Sequence, residues 1–176
     1  MESSVLIMDG TMDVGVTTVP DHPDGSIAVV PLFHEEFVLA VCADHPMAKA
    51  KAIPFDHLRQ IRMFMFGAEH QITKRIRACC EAKGLVLDNP IVTSTLSTLL
   101  SLVGQGLGGA ILPRLLLEYM RPDNIAAVTL LDPTPSQDIC TLYRTDKYLS
   151  QAARIFMDDL VSFVESVKAQ AALSSG

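Results

Sequence analysis

No stretch of this 176-residue chain approaches the roughly 20 consecutive apolar residues that cross a bilayer. Val5-Leu6-Ile7-Met8 is also too short for the apolar centre of a secretion signal. A soluble, cytoplasmic protein without membrane contact is expected. The four cysteines show no C-x-x-C and no Cys/His ligand spacing. Cys79 and Cys80 are neighbours in an apparent helix and point in different directions, while Cys42 and Cys140 sit far off in apparent strands. Buried free thiols in a reducing compartment are expected, with no metal site and no redox switch. The five histidines, at positions 22, 34, 45, 57 and 70, share no ligand spacing either. No G-x-S-x-G elbow, H-E-x-x-H or P-loop occurs. Glu35 and Glu36, adjacent in a strand, face opposite sides and cannot share a substrate; they are read as solvated or hinge-region charge. No catalysis and no cofactor are expected. An excess of basic residues is lacking as well: the formal net charge is −6, whereas gripping DNA requires Lys and Arg to neutralise phosphates.

What is present is a chain that is 49% hydrophobic and 19% charged, enough for a real core. The pattern alternates strands and helices. Strands are predicted near 12–17, 27–30, 37–43, 63–66, 91–93, 109–112, 127–131 and 139–143, and helices near 70–83, 95–105, 113–120 and 151–169. That order predicts an α/β fold on a mostly parallel sheet. In the last helix Ser150 can cap, and Ile155, Phe156, Leu160, Phe163, Val164 and Val167 read as one core-packing stripe. Residues 21–25 read as a surface loop, and the Ala/Ser-rich C-terminal end is expected to fray.

The run Val103-Gly-Gln-Gly-Leu-Gly-Gly-Ala-Ile-Leu-Pro113 spells G-x-G-x-x-G at Gly104, Gly106 and Gly109. That phosphate cradle must follow a strand and open a helix. Here a helical pattern precedes the glycines and a short apolar strand follows them, so Gly104 and Gly106 read as a helix end with a left-handed cap. A helix C-terminus offers no free N–H groups to a phosphate, and no dinucleotide site is expected.

This helix, glycine turn, strand and proline order resembles the effector-binding domain of LysR-type transcriptional regulators. Two further segments carry the same resemblance. Asp9-Gly10-Thr11-Met12-Asp13-Val14-Gly15-Val16 is similar to the family's "G-x-x-D-x-G-[VI]" strand opening. Pro31 to Val41, followed by His45-Pro46-Met47-Ala48, is similar to its crossover strand and "H-P-L-A" turn. With Tyr148-Leu149-Ser150 leading into the last helix, the likeness spans residues 9–156. It implies two Rossmann-like lobes of the periplasmic-binding-protein type II class, 1–35 with 134–176 as lobe I and 36–133 as lobe II, with residues 1–8 as the helix before the first strand. Family members begin with a winged helix-turn-helix domain, a linker helix and a strand-helix-strand opening of lobe I. The resemblance therefore implies an incomplete first lobe with an unpaired sheet edge, and DNA contact only through an absent N-terminal domain. It also implies a small organic, anionic effector held between lobes, and a homodimer or tetramer. A periplasmic-type solute-binding fragment and a two-lobed α/β enzyme are the alternatives.

Ligands of open α/β sheets sit outside the carboxyl ends of strands, and three loops answer to this. Thr17 and Thr18, after the first strand, offer hydroxyls to a carboxylate or amide. Gly67 and Ala68 let backbone N–H groups approach a ligand beside the aromatic wall of Phe66. Ser94 and Thr95 lie where a hydroxyl and the positive end of a helix favour an anion. The plainer alternatives are a turn start, a core filler and a helix cap. The resemblance implies that the family's effector cleft draws on these same loops, which makes Thr17, Thr18, Phe66, Gly67, Ala68, Ser94 and Thr95 the candidate binding residues. Lys74, Arg75 and Arg77 read as a solvated helix face, with a dimer contact as the alternative.

One outcome follows from charge alone. In a gel-shift titration at moderate salt the isolated chain should leave duplex DNA unretarded; saturable, sequence-specific binding would contradict the reading.

Overall fold

The computed structural model describes residues 3–20, 22, 25–120 and 122–174. In chain order these form α1 (Ser3–Met8), β1 (Val14–Thr18), β2 (Ile27–Cys42), β3 (Ala52–Pro54), β4 (Met63–Met65), α2 (Gln71–Ala82), β5 (Ile91–Val92), α3 (Leu96–Gly104), β6 (Gly109–Pro113), α4 (Arg114–Met120), β7 (Ile125–Leu131), β8 (Ser136–Arg144) and α5 (Gln151–Ser174). Single 3-10 turns occupy Pro46–Lys49 and Phe55–Gln60. The chain divides into two compact units, Met1–His34 with Asp138–Gly176, and Glu35–Gln137. Most of the expected surface loop at 21–25 lies outside the described residues.

The second unit is organised around the latter half of β2. Phe37, Leu39 and Val41 enter one apolar cluster, and Val38 and Ala40 enter another. Successive side chains of a strand point to opposite faces, so the unbroken run Phe-Val-Leu-Ala-Val supplies two cores at once. Met63 and Met65 in β4 and Ile111 in β6 join the first cluster; Phe64, Phe66, Ala110 and Leu112 join the second. Helix α2 buries Ile76 and Cys80 in the first, and α3 buries Leu99 and Val103 in the second. β2 is antiparallel to β6 and to β7. β3 with β7, β6 with β4 and β4 with β5 are parallel pairs. The strand order across this unit is therefore β3-β7-β2-β6-β4-β5, a mixed sheet in place of the mostly parallel one expected.

In the first unit β1 is antiparallel to β8, from Val14 opposite Tyr143 to Thr18 opposite Ile139. Its core is small: Ile7, Ile27, Cys140 and Leu142, with Val19 and Val29 packed against it. β1 is an edge strand.

Four expectations are corrected. The strands predicted at 27–30 and 37–43 are one 16-residue strand. Pro31 is exposed, and a proline keeps an extended backbone while removing a single donor, so it need not end a strand that can spare that bond. Of the two alternatives for Glu35, the solvated one is excluded: the residue is 8% exposed and accepts a 2.9 Å bond from Gln137 Nε2, at the point where the second unit begins. Glu36, on the opposite side, stays exposed. The α5 stripe is not one core face. Val164 is buried, but Phe156 and Phe163 are 50% and 63% exposed; fully burying such a side chain is worth about 1.5–3 kcal/mol. Helix α5 is apolar on two sides, and periodicity does not say which side packs. The thiols, finally, are only in part buried: Cys80 and Cys140 are, Cys42 and Cys79 are half-buried.

The glycine run closes α3 as its order predicted. Gly106 has φ +74°, its N–H bonds Val103 O at 2.9 Å and the Leu107 N–H bonds Leu102 O at 3.2 Å. This is the doubly bonded left-handed cap that satisfies the carbonyls of a last turn. Gly108 answers a different need, since a Cβ there would stand 2.2 Å from the Arg62 carbonyl oxygen. Gly106→Ala should cost about 1–2 kcal/mol in urea unfolding through the left-handed strain alone. Gly108→Ala should cost more, because a backbone group must shift to admit the methyl.

Candidate functional site

The carboxyl ends of three neighbouring parallel strands, β5, β4 and β6, fall on one side of the second unit's sheet. β4 and β5 are in register at Met65 and Val92, and the Thr93 N–H bonds Met65 O at 2.9 Å just beyond them. The segment starting at Phe66 and the segment 93–95 therefore leave the sheet side by side. This brings together five of the seven candidate residues, Phe66, Gly67, Ala68, Ser94 and Thr95. Thr17 and Thr18 belong to the first unit. They do not follow the strand as expected but are its last two residues, half-buried opposite Cys140 and Ile139.

Each loop is held from below. Phe66 is 9% exposed with its ring in the second apolar cluster, so it is core as well as wall. Its carbonyl accepts a 3.0 Å bond from the buried hydroxyl of Thr73 in α2, and the His70 N–H bonds Gly67 O at 3.0 Å to close the turn. Gly67 and Ala68 stand exposed at its tip. Gly67 has no positive φ, and a Cβ added there would meet nothing within 4 Å. The fold does not demand glycine at that position, which leaves open space a ligand could use.

On the second loop Thr95 is the N-cap of α3, with φ −132° and its hydroxyl accepting from Thr98 N at 3.3 Å. Its hydroxyl also lies within hydrogen-bond reach of Ser97 and Thr98. The cap fixes where the positive end of α3 points, while Ser94 beside it is exposed. At 9 residues α3 is short, so its field acts only within the first turn.

One further residue belongs to the region, and sequence reasoning had missed it. His70 is the N-cap of α2 instead of its first helical residue: Nδ1 accepts from Ile72 N at 3.3 Å. The imidazole stacks on Phe66 with ring centroids 4.4 Å apart at 22°. Burial holds the imidazole below the usual histidine range, and the cap requires an unprotonated Nδ1, which leaves Nε2–H as the outward donor. The four-residue spacing from Phe66 was the available signal. Arg114 follows the end of β6, donating to Thr129 Oγ1 at 2.9 Å and lying 3.7 Å from a Glu36 carboxylate oxygen. Its backbone leaves the same end of the sheet as the two loops, but its guanidinium turns to β2 and β7, on the far side of β6 from β4 and β5.

The arrangement offers hydroxyls, backbone N–H groups, an imidazole N–H and a helix terminus, which suit reversible binding of a polar or anionic small molecule. For His70 the sign of the pH effect is fixed. Its folded pKa lies below the unfolded value, so the unfolded chain takes up the proton first. Stability is unaffected well above pH 6.5 and falls as pH drops through 6.5 toward the folded value. His70→Asn keeps a capping acceptor without a titration. Urea unfolding between pH 7.5 and 5 should show the wild type losing stability relative to H70N; parallel curves would remove the imidazole from this account.

Comparison with known proteins gives consistent findings. A family profile described as the LysR substrate binding domain matches residues 3–164. The chain is 26% identical over 162 residues to the uncharacterized HTH-type transcriptional regulator YwbI of Bacillus subtilis, covering 89% of this chain and 52% of the relative. It is 30% identical over 159 residues to the uncharacterized HTH-type regulator YbhD of Escherichia coli, covering 90% and 49%. The chain thus spans about half the length of these relatives. Among solved structures, the regulatory domain of Synechocystis CcmR in complex with 2-PG superposes with a TM-score of 0.79 at 15% identity, over 91% of this chain and 77% of that one. The effector-binding domain of QuiR in complex with shikimate gives 0.76 at 17% identity, over 92% and 76%. At such identities these two establish the fold, a periplasmic-binding-protein type II architecture.

Proposed function

Because the chain belongs to the LysR substrate-binding-domain family, we propose that it is the ligand-sensing region of a bacterial LysR-type transcriptional regulator, with DNA contacted by another part of a longer protein. The observation that carries this is the convergence of the Phe66–His70 and Thr93–Thr95 segments at the ends of β4 and β5, with nothing over Gly67. A small organic effector, anionic by the Thr95-capped end of α3, is taken up there. Thr17 and Thr18 remain candidates from the first unit. Binding biases the conformation of a homodimer or tetramer in the cytoplasm, and no catalysis is needed.

Several relatives are named for hydrogen peroxide, among them the hydrogen peroxide-inducible genes activator of Escherichia coli O6:H1 at 28% identity over 137 residues. Sensing by thiol oxidation needs a thiolate. Burial pushes the Cys80 thiol up to about 11 and raises those of Cys79 and Cys140. That chemistry argues against oxidation at Cys79, Cys80 and Cys140.

A thermal-shift screen of small organic acids, shikimate among them, tests the proposal. A binding acid at a hundredfold excess over Kd should stabilise the chain by about 2.7 kcal/mol. Gly67→Val should abolish the shift while leaving the unliganded Tm near wild type, since the added side chain enters open space. A binder whose shift survives both G67V and Thr95→Val would move the site elsewhere.

A further inference from the structure

A concavity lies wholly in the first unit, at the head of α5, and the proposed effector loops have no part in it. It holds about 490 Å³ and its lining includes Arg144, Lys147, Tyr148, Arg154, Met157 and Asp158, a volume within the usual range for small-molecule sites.

The charges of this lining are unequal in role. Arg144 is spent: Nε donates to Asp146 Oδ1 at 2.8 Å, Nη1 to the Met8 carbonyl at 2.7 Å, and Nη2 to the other Asp146 oxygen. That bidentate pair holds the Asp146 carboxyl below its ordinary range, and its charges cancel. Lys147 and Arg154 make no ion pair among the described residues, although the Lys147 ammonium lies against Gly10 and helps to hold the Asp9 and Asp146 carboxyls, neither of which lines the concavity, below their ordinary range. Arg154 instead lies over the Tyr148 ring, 5.0 Å from its centroid. Asp158 is the one carboxylate of the lining. Within the lining, the charges outside the Arg144–Asp146 pair are two cations against one anion, beside an aromatic ring that is 84% exposed and the half-buried Met157.

The geometry points to a binding site for a small organic monoanion with a flat apolar body, a benzoate-like carboxylate. The anion would sit at Lys147 and Arg154, with its body against Tyr148 and Met157. A neutral molecule would leave the cations unanswered. A multiply charged one would be opposed by Asp158, and an inorganic ion would leave the apolar surface wet.

The test is an amide chemical-shift titration of the 176-residue chain with three probes: benzoate, benzyl alcohol and inorganic phosphate. Benzoate should give saturable shifts within residues 143–158, and the other two should bind more weakly there. Arg154→Gln and Lys147→Gln should each weaken benzoate by about threefold, and Asp158→Asn should tighten it by about twofold, the range expected for exposed charges. All three side chains are exposed, and the opposite sign for D158N keeps the test decisive if a cation variant folds poorly. Absence of saturable shifts at 143–158, equal binding of benzyl alcohol, stronger binding of phosphate, or a D158N variant that weakens benzoate would each overturn the proposal. Benzoate shifts confined to 66–70 and 93–95 would assign the monoanion to the effector loops and overturn it too.

Discussion

Burial of both faces of β2 is the constraint on which the second unit depends. A strand with one wet face can slip or bend at little cost, but Phe37 to Val41 are all 0% exposed, and a shift of one residue would exchange the contents of two cores. With the strand so fixed, β6 and β7 must pair on either side of it. β4 and β5 then extend the β6 side in parallel. The binding edge follows from this geometry, because parallel strands send all their carboxyl ends to one side.

The loops at that edge are held by short polar contacts and not by charge. Thr73 fixes the Phe66 carbonyl, His70 both caps α2 and stacks on Phe66, and Thr95 caps α3. Each of these groups satisfies a backbone atom that would otherwise be orphaned at a strand or helix end. The same side chains therefore serve the fold while leaving an imidazole N–H, exposed backbone and the Ser94 hydroxyl outward. Structural and binding readings of Phe66 and Thr95 are not rivals here, since one residue meets both.

The first unit is built on different terms. Its buried core is a handful of residues around Leu142 and Cys140, and α5 offers apolar side chains on more sides than it buries. A helix hydrophobic on several faces ordinarily has several neighbours, and exposed phenylalanines at 156 and 163 mark surface that water covers at a cost. The Arg144–Asp146 pair ties the end of β8 to the Met8 carbonyl of α1, giving this small core a polar anchor.

Sequence alone determined the elements whose signals are local. Gly106 had to adopt a left-handed cap because a helical pattern precedes it and a strand follows. Ser150 and Thr95 cap their helices as their residue types suggest, and the alternating order carried the α/β class. The order and spacing of short motifs also identified the family, since such motifs mark fixed turns of a shared fold. Tertiary structure decided what no local signal encodes. The antiparallel course of β2 depends on partners more than 60 residues away. Burial of Glu35 depends on Gln137 standing opposite it, and pairing of β4 with β5 sets two loops side by side. Which face of α5 is covered was undecided by its periodicity, because a hydrophobic repeat states that a face wants burial and not whether a neighbour is there to provide it.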